Sequence, residues 1–312
     1  MASKIGAILT NHRHGKTRVR VARVWRANDG KQEMREWTVE VLIASPMERA
    51  FTEGDNSGMT TTDTCKNMCF RVAKQLAEPC GPEVYALSIC ENFLKSFPLV
   101  TAVQVEAFEV DWQRVASESA VPHNHGFMRV EPARRGAYVL MKRREENRPV
   151  VFGAIDGLTV LKTTQTGFEG FRRCDSTALP ETRERLLGTS VTAYWRYEQG
   201  KRHDFDAAYT RVLAAMKSQF YGPPKSGTYS PSLQFTMYQM GKAAISSCPG
   251  IESIELNLPN IHFIPYNMPA LGMPFRDDVY IATSEPHGTI QCTVTRDTAA
   301  KEPSPVRIAA KL

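Results

Sequence analysis

The sequence predicts an α+β protein that contains two similar domains in tandem. Stretches with an apolar residue at every second position predict strands, and stretches with apolar residues three or four positions apart predict amphipathic helices. In both halves a helix runs through a proline into a strand, at Ser96-Phe97-Pro98 and at Ser247-Cys248-Pro249. These prolines are 249 − 98 = 151 residues apart, close to half of the 312-residue chain, which indicates a duplicated strand-strand-helix-helix-strand-strand unit.

The first half begins with alternating strands over 17–25 and 36–45, and the Asn-Asp-Gly sequence between them predicts a hairpin turn. Helices are predicted over about 64–77 and 82–97. The first has apolar residues at 65, 68, 69, 72, 73 and 76, and the second has an apolar face formed by Val84, Leu87, Cys90, Leu94 and Phe97. A long strand over 101–112 changes its apolar phase at Phe108, which predicts a β-bulge.

The second half repeats this order, with strands over 157–164 and 189–198, helices over 206–220 and 230–247, and a strand over 251–263. The segment 118–136, rich in Pro, Gly and charge, is predicted to be a linker region. The predicted domains are therefore 1–145 and 146–303, followed by a flexible tail at 304–312. A sheet with one layer of helices leaves open edges, and closing such sheets into a barrel with a partner chain removes them, so we expect an oligomer.

Composition and charge exclude several function classes. The net charge is +6, from 39 basic and 33 acidic residues, and no Lys/Arg stripe indicates nucleic acid. No run of 18 apolar residues is present, so no membrane span is expected. The N-terminus lacks an apolar signal core, and seven cysteines without a C-x-x-C pair indicate free thiols in a reducing compartment.

The final Ala310-Lys311-Leu312 is a close variant of the S-K-L address, which predicts recognition by the peroxisomal import receptor.

Several polar and aromatic residues have both an ordinary and a functional interpretation. Thr62 and Asp63 stand where a helix is predicted to begin, so they are ordinary helix caps, although a helix N-terminus also binds anions. Arg185 is predicted to lie on a charged helix with Glu181 four residues earlier, as a solvated arginine. Gln234 is an ordinary polar residue of a first helical turn, and Phe168 is an ordinary core or loop aromatic.

The remaining candidates are basic residues. Lys16 precedes a strand and is ordinarily a surface lysine, and His262 alternates out of phase with the apolar residues of its strand. Histidines at 12, 14, 123 and 125 form H-x-H pairs, but no third ligand follows at a zinc-type spacing. No P-loop, G-x-G-x-x-G, G-x-S-x-G or H-E-x-x-H motif occurs. Residue patterns alone therefore indicate a soluble two-domain α+β protein and no particular chemistry.

Five motifs in the same order along the chain resemble the urate oxidase (uricase) family. They are "RHGKTRVRV" (13–21), "GDNSGMTTTDTCKN" (54–67), "GLTVLKTTQTGFEGFRRCDSTALPETRERLLGT" (157–189), "SLQFTMYQM" (232–240) and "LPNIHF" (258–263). The resemblance implies two tandem tunnelling-fold (T-fold) domains with helices on the outer face of antiparallel sheets. It also implies a homotetramer whose sheets close into β-barrels, with active sites shared between subunits. The implied reaction converts urate, O2 and water to 5-hydroxyisourate and H2O2 without metal or organic cofactor.

The resemblance assigns roles to the candidates, and the chemistry of urate fits them. Urate is a flat anion rimmed by donors and acceptors, so Arg185 would bind one edge bidentately and Gln234 the opposite edge. Phe168 would stack on the ring, with the Leu233 N–H assisting Gln234 and Leu179 lining the pocket.

The remaining roles concern the other edge of urate and the oxygen substrate. Thr62 and the Asp63 N–H would reach urate from a neighbouring subunit. Lys16 would hydrogen-bond Thr62, and His262 would extend that pair into a proton relay. Asn260 would hold O2 above the ring and then, with Thr62, the attacking water.

The sequence departs from the family pattern at Ile261, Leu233, Glu169, Gly54 and Gly58, and the insert 221–231 has no assigned role. None of these departures removes a catalytic group. Two other interpretations stay open at this point. One is a zinc-dependent T-fold enzyme acting on pterins or purines, which would use the histidines at 12, 14, 123 and 125. The other is a non-catalytic purine-binding relative, against which the intact Lys16, Thr62 and His262 argue.

Overall fold

The structure, a computed structural model, describes residues 6–116, 120–130, 133–145, 148–273 and 275–297. The chain divides into two compact units, Met1–Gly153 with Gln199–Lys201, and Ala154–Glu198 with Arg202–Leu312. The domain limits 1–145 and 146–303 stay predictions. The tail at 304–312, with Ala310-Lys311-Leu312, lies outside the described residues.

The first unit contains an antiparallel sheet and its helices. Its elements are β1 (His14–Arg26), β2 (Gln32–Ala44), α1 (Glu48–Thr52), α2 (Thr62–Gln75), α3 (Pro82–Ser96), β3 (Ala102–Glu109), β4 (Trp112–Ala116), β5 (Pro122–Arg129), β6 (Arg134–Lys142) and a short 3₁₀ helix (Arg143–Glu145). The strand order is β1-β2-β3-β6, and β4 pairs with β5 in a separate ribbon. β7 (Val150–Lys162) contains the division between the units.

The second unit repeats the arrangement of strands and helices. Its elements after β7 are β8 (Leu187–Tyr197), α4 (Phe205–Tyr221), α5 (Leu233–Ser247), β9 (Ile251–Pro265), a 3₁₀ helix (Pro269–Leu271), β10 (Tyr280–Thr283) and β11 (Thr289–Thr295). The strand order is β7-β8-β9, and both β10 and β11 pair with β9 in antiparallel register. The α+β class with antiparallel sheets is therefore confirmed.

Each unit buries one face of its sheet under two helices. In the first unit α2 buries Cys65, Met68, Cys69, Val72 and Ala73, as its apolar spacing predicts. In the second unit Ile254, Leu256 and Leu258 are fully buried on β9, which confirms their predicted common face. Burial of these side chains supplies most of the free energy that holds helices and sheet together.

Three local predictions differ from the structure. On α3 the predicted Cys90 and Leu94 are buried, but Val84 is exposed. The buried face includes Tyr85 instead, whose hydroxyl donates to the Cys69 carbonyl at 2.8 Å. The long strand 101–112 ends at Glu109 instead of bulging, and β4 begins at Trp112. The predicted linker 118–136 contains β5 and the start of β6.

No helix among the described residues is long and apolar enough to cross a membrane.

Candidate functional site

Two groups of predicted site residues lie in different units. Lys16, Thr62 and Asp63 belong to the first unit, and we call them the threonine half. The second unit holds the group that we call the arginine half, which consists of Phe168, Leu179, Arg185, Leu233, Gln234, Asn260 and His262. Each half is built around the N-terminus of one long helix, α2 or α5.

Thr61, and not Thr62 or Asp63, is the cap of α2. The Thr61 hydroxyl accepts the Thr64 N–H at 3.1 Å, and its backbone has the extended conformation typical of a cap. Thr62 and Asp63 are therefore the first two helical residues, and the sequence-based assignment of the cap is wrong by one position. Among the described residues, none accepts the N–H groups of Thr62 and Asp63 or bonds the Thr62 hydroxyl. Both residues are exposed, so these donors are available to a ligand.

The carboxylate of Asp63 is engaged along its own helix. It accepts from Lys66 Nζ at 2.6 Å and from Asn67 Nδ2 at 2.7 Å. The hydrogen bond from Lys66 is the main cause that lowers the pKa of Asp63, and the charge of Lys16 contributes less. What Asp63 offers to a ligand is therefore its backbone N–H, in agreement with the sequence-based expectation.

Lys16 lies at an irregular point of β1, close to the start of α2. The register of β1 on β2 shifts between Lys16 and Val19, and Arg18 has a positive φ of 57°. Just before it, Gly15 passes so near β2 that a Cβ would lie 1.8 Å from the Val41 carbonyl oxygen. His14 Nε2 bonds the Thr60 carbonyl oxygen at 2.5 Å. These contacts tether the start of β1 to the segment that leads into α2.

The Arg185 segment is irregular, and the predicted helix around it is absent. A two-residue bridge pairs Phe168 with Thr182: the Phe168 N–H donates to the Thr182 carbonyl at 2.7 Å and the Thr182 N–H returns a bond at 3.1 Å. Glu184 accepts from the Gln165 N–H at 2.9 Å, and Glu181 accepts from the Gly170 N–H at 3.2 Å instead of pairing with Arg185. Such side-chain bonds to backbone compete with helix formation, which explains the error.

Arg185 and Phe168 are in contact. The guanidinium carbon lies 5.3 Å from the centre of the Phe168 ring, and Phe171 stacks on Phe168 at 4.9 Å with an interplanar angle of 14°. Burial lowers the pKa of Arg185, whose charge nevertheless persists at any physiological pH. Its Nε is buried and has no hydrogen-bond partner among the described residues. A buried donor without a partner is costly, so a ligand acceptor is expected there.

The start of α5 has the same design as the start of α2. Ser232 is the cap and accepts the Phe235 N–H at 3.1 Å, which leaves Leu233 and Gln234 as the first two helical residues. The two caps are 232 − 61 = 171 residues apart. Leu233 is 2% exposed and belongs to the core, whereas Gln234 is exposed and carries a donor and an acceptor.

Asn260 and His262 lie on the same face of β9, two residues apart. Asn260 is opposite Thr189 of β8 and donates its N–H to the Gly288 carbonyl at 2.9 Å, and His262 is opposite Thr283 of β10. The Asn260 Oδ1 is buried without a hydrogen-bond partner among the described residues. As at Arg185 Nε, a ligand is therefore expected to bind this atom.

Leu179 is 52% exposed in the single chain.

Comparisons with known proteins identify the family. The family model described as Uricase matches residues 12–139 and 151–291, most of the chain. The chain belongs to the uricase family. A Canavalia lineata protein named Uricase-2 isozyme 1 is 39% identical over 94% of this chain and 97% of the relative. A Uricase of Arabidopsis thaliana is also 39% identical, over 96% of this chain and 99% of the relative. The crystal structure of a uricase from Arthrobacter globiformis, 32% identical, superimposes with a TM-score of 0.86 and covers 98% of this chain and 99% of its own.

The family establishes the activity: this uricase chain is an oxidoreductase that acts on urate. The predicted T-fold architecture is that of the uricase structures. The family match decides against the interpretation as a zinc-dependent enzyme acting on pterins or purines. His12 lies 3.1 Å from Glu48, His123 and His125 face each other edge-on at 4.6 Å, and no three potential ligands cluster anywhere in the described ranges.

Some uricase residues beside the site were not predicted from the sequence. Phe171 backs Phe168, and the repeated aromatic in "TGFEGF" is the only signal of it. The half-buried Lys162 contacts the buried Ser230, two residues before the cap of α5. In the sequence the only sign of this contact is an isolated lysine at the end of an apolar strand. Among the departures from the family pattern, Glu169 forms an exposed ion pair with Arg183 at 3.0 Å.

Proposed function

We propose that this uricase oxidises urate with O2 and water to 5-hydroxyisourate and H2O2, without a cofactor. The site would combine the arginine half of one subunit with the threonine half of a neighbouring subunit. One urate, one O2 and one water balance one 5-hydroxyisourate and one H2O2: urate loses two electrons, O2 gains them, and the water oxygen becomes the new hydroxyl. The observation that carries the proposal is the buried, unpartnered Nε of Arg185, held against Phe168.

The arginine half would recognise the urate anion. Arg185 supplies two parallel donors and a fixed positive charge to one edge of the purine, and the ring would pack beside Phe168. The opposite edge would bind to the Gln234 side chain and the N–H of Leu233. Ser232 caps α5 through the Phe235 N–H, and no described residue accepts the N–H of Leu233. Leu179 would supply an apolar wall at the mouth.

The arginine half has a geometric basis for acting as one unit. The Arg185 N–H donates to the Thr166 carbonyl at 3.0 Å, and Thr166 forms a bridge with Ser230, two residues before the cap of α5. One short chain of backbone contacts therefore links the arginine to Leu233 and Gln234. Rigid support of this kind lets a site hold a flat ligand at two edges at once.

The threonine half would supply the remaining contacts and manage protons. The Thr62 hydroxyl and the Asp63 N–H are free and exposed at the start of α2, where a helix N-terminus favours a negative ligand. Lys16 lies near enough for its charged form to contribute to the lowered pKa of Asp63. In the catalytic step its neutral amine would accept a proton that urate passes on through Thr62. His262 of the subunit that holds the arginine half would extend this relay.

Asn260 would hold the oxygen species above the purine plane. Its buried Oδ1 has no hydrogen-bond partner within the described ranges, and its amide offers a donor as well, so it suits O2 first and the attacking water second. Urate that has lost two protons is electron-rich and can reduce O2 one electron at a time. The protein would then mainly deprotonate urate, orient it and shield it from bulk water.

A homotetramer would complete the site. β1 ends the strand order of the first unit, and pairing such an edge with another chain removes its unpaired backbone groups. Closure of sheets from several chains into β-barrels would bring a threonine half to each arginine half. The terminal Ala310-Lys311-Leu312 would direct the protein to the peroxisome through the import receptor, where a peroxide-forming enzyme is expected.

An assay of the purified tetramer tests the proposal. We expect urate absorbance at its ultraviolet maximum to fall, with one peroxide formed for each urate in a peroxidase-coupled assay. Extensive prior dialysis against a chelator should leave the rate unchanged. Urate that stays intact between pH 7 and about 9.5 would contradict catalysis, and a rate restored only by added metal would contradict cofactor independence.

A further inference from the structure

The side chain of Lys162, at the end of β7, is engaged inside the second unit. Its Nζ donates to the Thr228 carbonyl at 2.8 Å and to the Ser230 hydroxyl at 2.7 Å. The ammonium also lies 5.5 Å from the centre of the Phe220 ring. Partial burial removes water from the ammonium, which disfavours its charged form and lowers the pKa of Lys162. Both hydrogen bonds go to the 221–231 segment, the insert with no assigned role.

Ser230 connects Lys162 to α5, which carries Gln234. Ser230 is 2% exposed, and its hydroxyl also accepts from the Thr236 hydroxyl at 2.6 Å. Thr236 lies in the first turn of α5, two residues after Gln234. The position of the Ser230 side chain is therefore coupled to the start of α5.

The backbone of Ser230 connects the same point to Arg185 and Phe168. The Ser230 N–H donates to the Gln165 carbonyl at 2.8 Å, and the Ser230 carbonyl accepts the Gly167 N–H at 2.9 Å. Thr166, between them, accepts the Arg185 N–H at 3.0 Å. Through its side chain and its backbone, Ser230 thus joins the two parts of the arginine half: the Arg185–Phe168 segment and the start of α5.

We propose that Lys162 is a positioning residue for urate binding. By holding Ser230 and Thr228, its ammonium sets the spacing between Arg185 with Phe168 and Leu233 with Gln234. This inference rests on the proposed binding roles of those four residues. It gives the 221–231 segment a function, since that segment provides both acceptors that the cation needs.

The charge of Lys162 is part of the proposal. Hydrogen bonds from an ammonium are stronger than those between neutral groups, and removing the cation leaves the Thr228 carbonyl without this donor. A ligand held at two edges is sensitive to small displacements between the two sets of contacts. Loss of Lys162 should therefore weaken binding of substrate more than it slows the reaction of bound substrate.

The test compares Lys162→Met with Lys217→Met, which removes an exposed lysine of α4. Kinetics with urate are combined with equilibrium binding of xanthine, a purine that lacks the 8-oxygen, used here as a ligand that is not turned over. We expect Lys162→Met to raise KM and the xanthine Kd about tenfold, with kcat within about threefold of the parent. Lys217→Met should match the parent, and Lys162→Arg should recover part of the loss.

A double-mutant cycle separates positioning from general loosening of the fold. In a Gln234→Ala background Lys162→Met should have little further effect on the xanthine Kd, because the contact that Lys162 positions is already gone. In a Thr62→Val background the full effect should persist. An equal effect of Lys162→Met in both backgrounds, or a folded tetramer with unchanged affinity, would overturn the proposal.

Ser230→Ala provides a second route, because it removes the same contact from the other side. It should reproduce the KM effect and be non-additive with Lys162→Met. If both variants fail to assemble as tetramers, the pair serves folding and the proposal is wrong. Failure of the proposed function is distinct: the parent protein would then leave urate unchanged, or Gln234→Ala would not weaken xanthine binding at all.

Discussion

The starts of α2 and α5 both hold residues of the predicted site, and they differ in what supports them. α2 is the first long helix of the first unit, and α5 is the second long helix of the second unit. Each helix has a hydroxyl cap followed by two residues whose N–H groups have no acceptor in the part of the chain that the structure describes. They are Thr62 and Asp63 in one case and Leu233 and Gln234 in the other. At α2 the supporting contacts are exposed, as in the Asp63–Lys66 pair. At α5 they involve the buried Ser230 hydroxyl, which accepts from the buried Thr236 and from the half-buried Lys162.

This difference suits the two helix starts to two different tasks. An exposed helix start with a nearby lysine is suited to deliver mobile groups and protons to a ligand held elsewhere. A helix start fixed by a buried network is suited to hold the ligand itself. Substitutions of Arg185, Phe168 and Gln234 should therefore act mainly on affinity, and substitutions in the threonine half should act mainly on turnover.

The largest effect is expected for Arg185→Ala. It removes a bidentate, charge-assisted contact, and we expect the xanthine Kd and the urate KM to rise roughly a hundredfold. Arg185→Lys should recover little, because a lysine cannot present two parallel donors. The matched control is Arg183→Ala, which removes an exposed arginine paired with Glu169. Xanthine affinity that survives in Arg185→Ala would contradict the division of tasks.

Lys16→Met should produce the opposite kinetic pattern. Loss of the proposed proton acceptor is expected to lower kcat about a hundredfold, with the urate KM within roughly threefold of the parent. Lys31→Met, in the turn between β1 and β2, is the control for loss of one positive charge. If KM and kcat changed together in Lys16→Met, the lysine would be acting in binding instead.

Adjacent threonines offer a sharper comparison. Thr61→Ala removes the cap and should lower the free energy of unfolding by about 1 kcal/mol with little loss of activity. Thr62→Val should leave stability nearly unchanged and lower kcat about tenfold or more. Thermal unfolding and steady-state kinetics on the same preparations measure both quantities. The reverse assignment of stability and turnover would place the catalytic hydroxyl at Thr61.

The smallest effect concerns Asp63 and pH. Its pKa is lowered in the folded protein, chiefly by Lys66, so the carboxylate contributes stability above its unfolded value, near 3.8, and that stability is lost as pH falls through the lower folded pKa. Asp63→Asn should lower the Tm slightly at pH 7, and the difference should disappear in more acidic solution. Lys66→Met should have the same pH dependence. A difference that grows on acidification has the wrong sign for this pair.

Much of the fold could be predicted from local patterns. In β9, residues two apart share a face, so the alternation of Ile254, Leu256 and Leu258 predicts that they are buried together. In α2, residues three or four apart share a face, so the apolar spacing predicts which residues are buried. The face of α3 could not be predicted in this way, since it depends on the bond that the Tyr85 hydroxyl makes with another helix. The absent helix at Arg185 has a similar cause, because Glu181 and Glu184 bond the backbone of a distant segment.

The site could not be predicted from spacing alone. Thr166 and Ser230 are 230 − 166 = 64 residues apart, and their bridge links the Arg185 segment to the start of α5. No periodic pattern encodes such a pairing, so the candidates acquired roles only through resemblance to a family. Lys162 is the clearest case, since its sequence position indicates an ordinary strand end and its partners lie more than sixty residues further on.

Gly15 has a consequence for how the chain tolerates change. The Val41 carbonyl fills the space where any Cβ at this position would lie, at 1.8 Å. Even alanine would push β1 away from β2 at the residue just before Lys16. In a library of all single substitutions, replacement of Gly15 should therefore reduce activity as strongly as replacement of a catalytic residue, although glycine has no functional group. The location of a reactive amine in this enzyme would then depend on the absence of a single methyl group beside it.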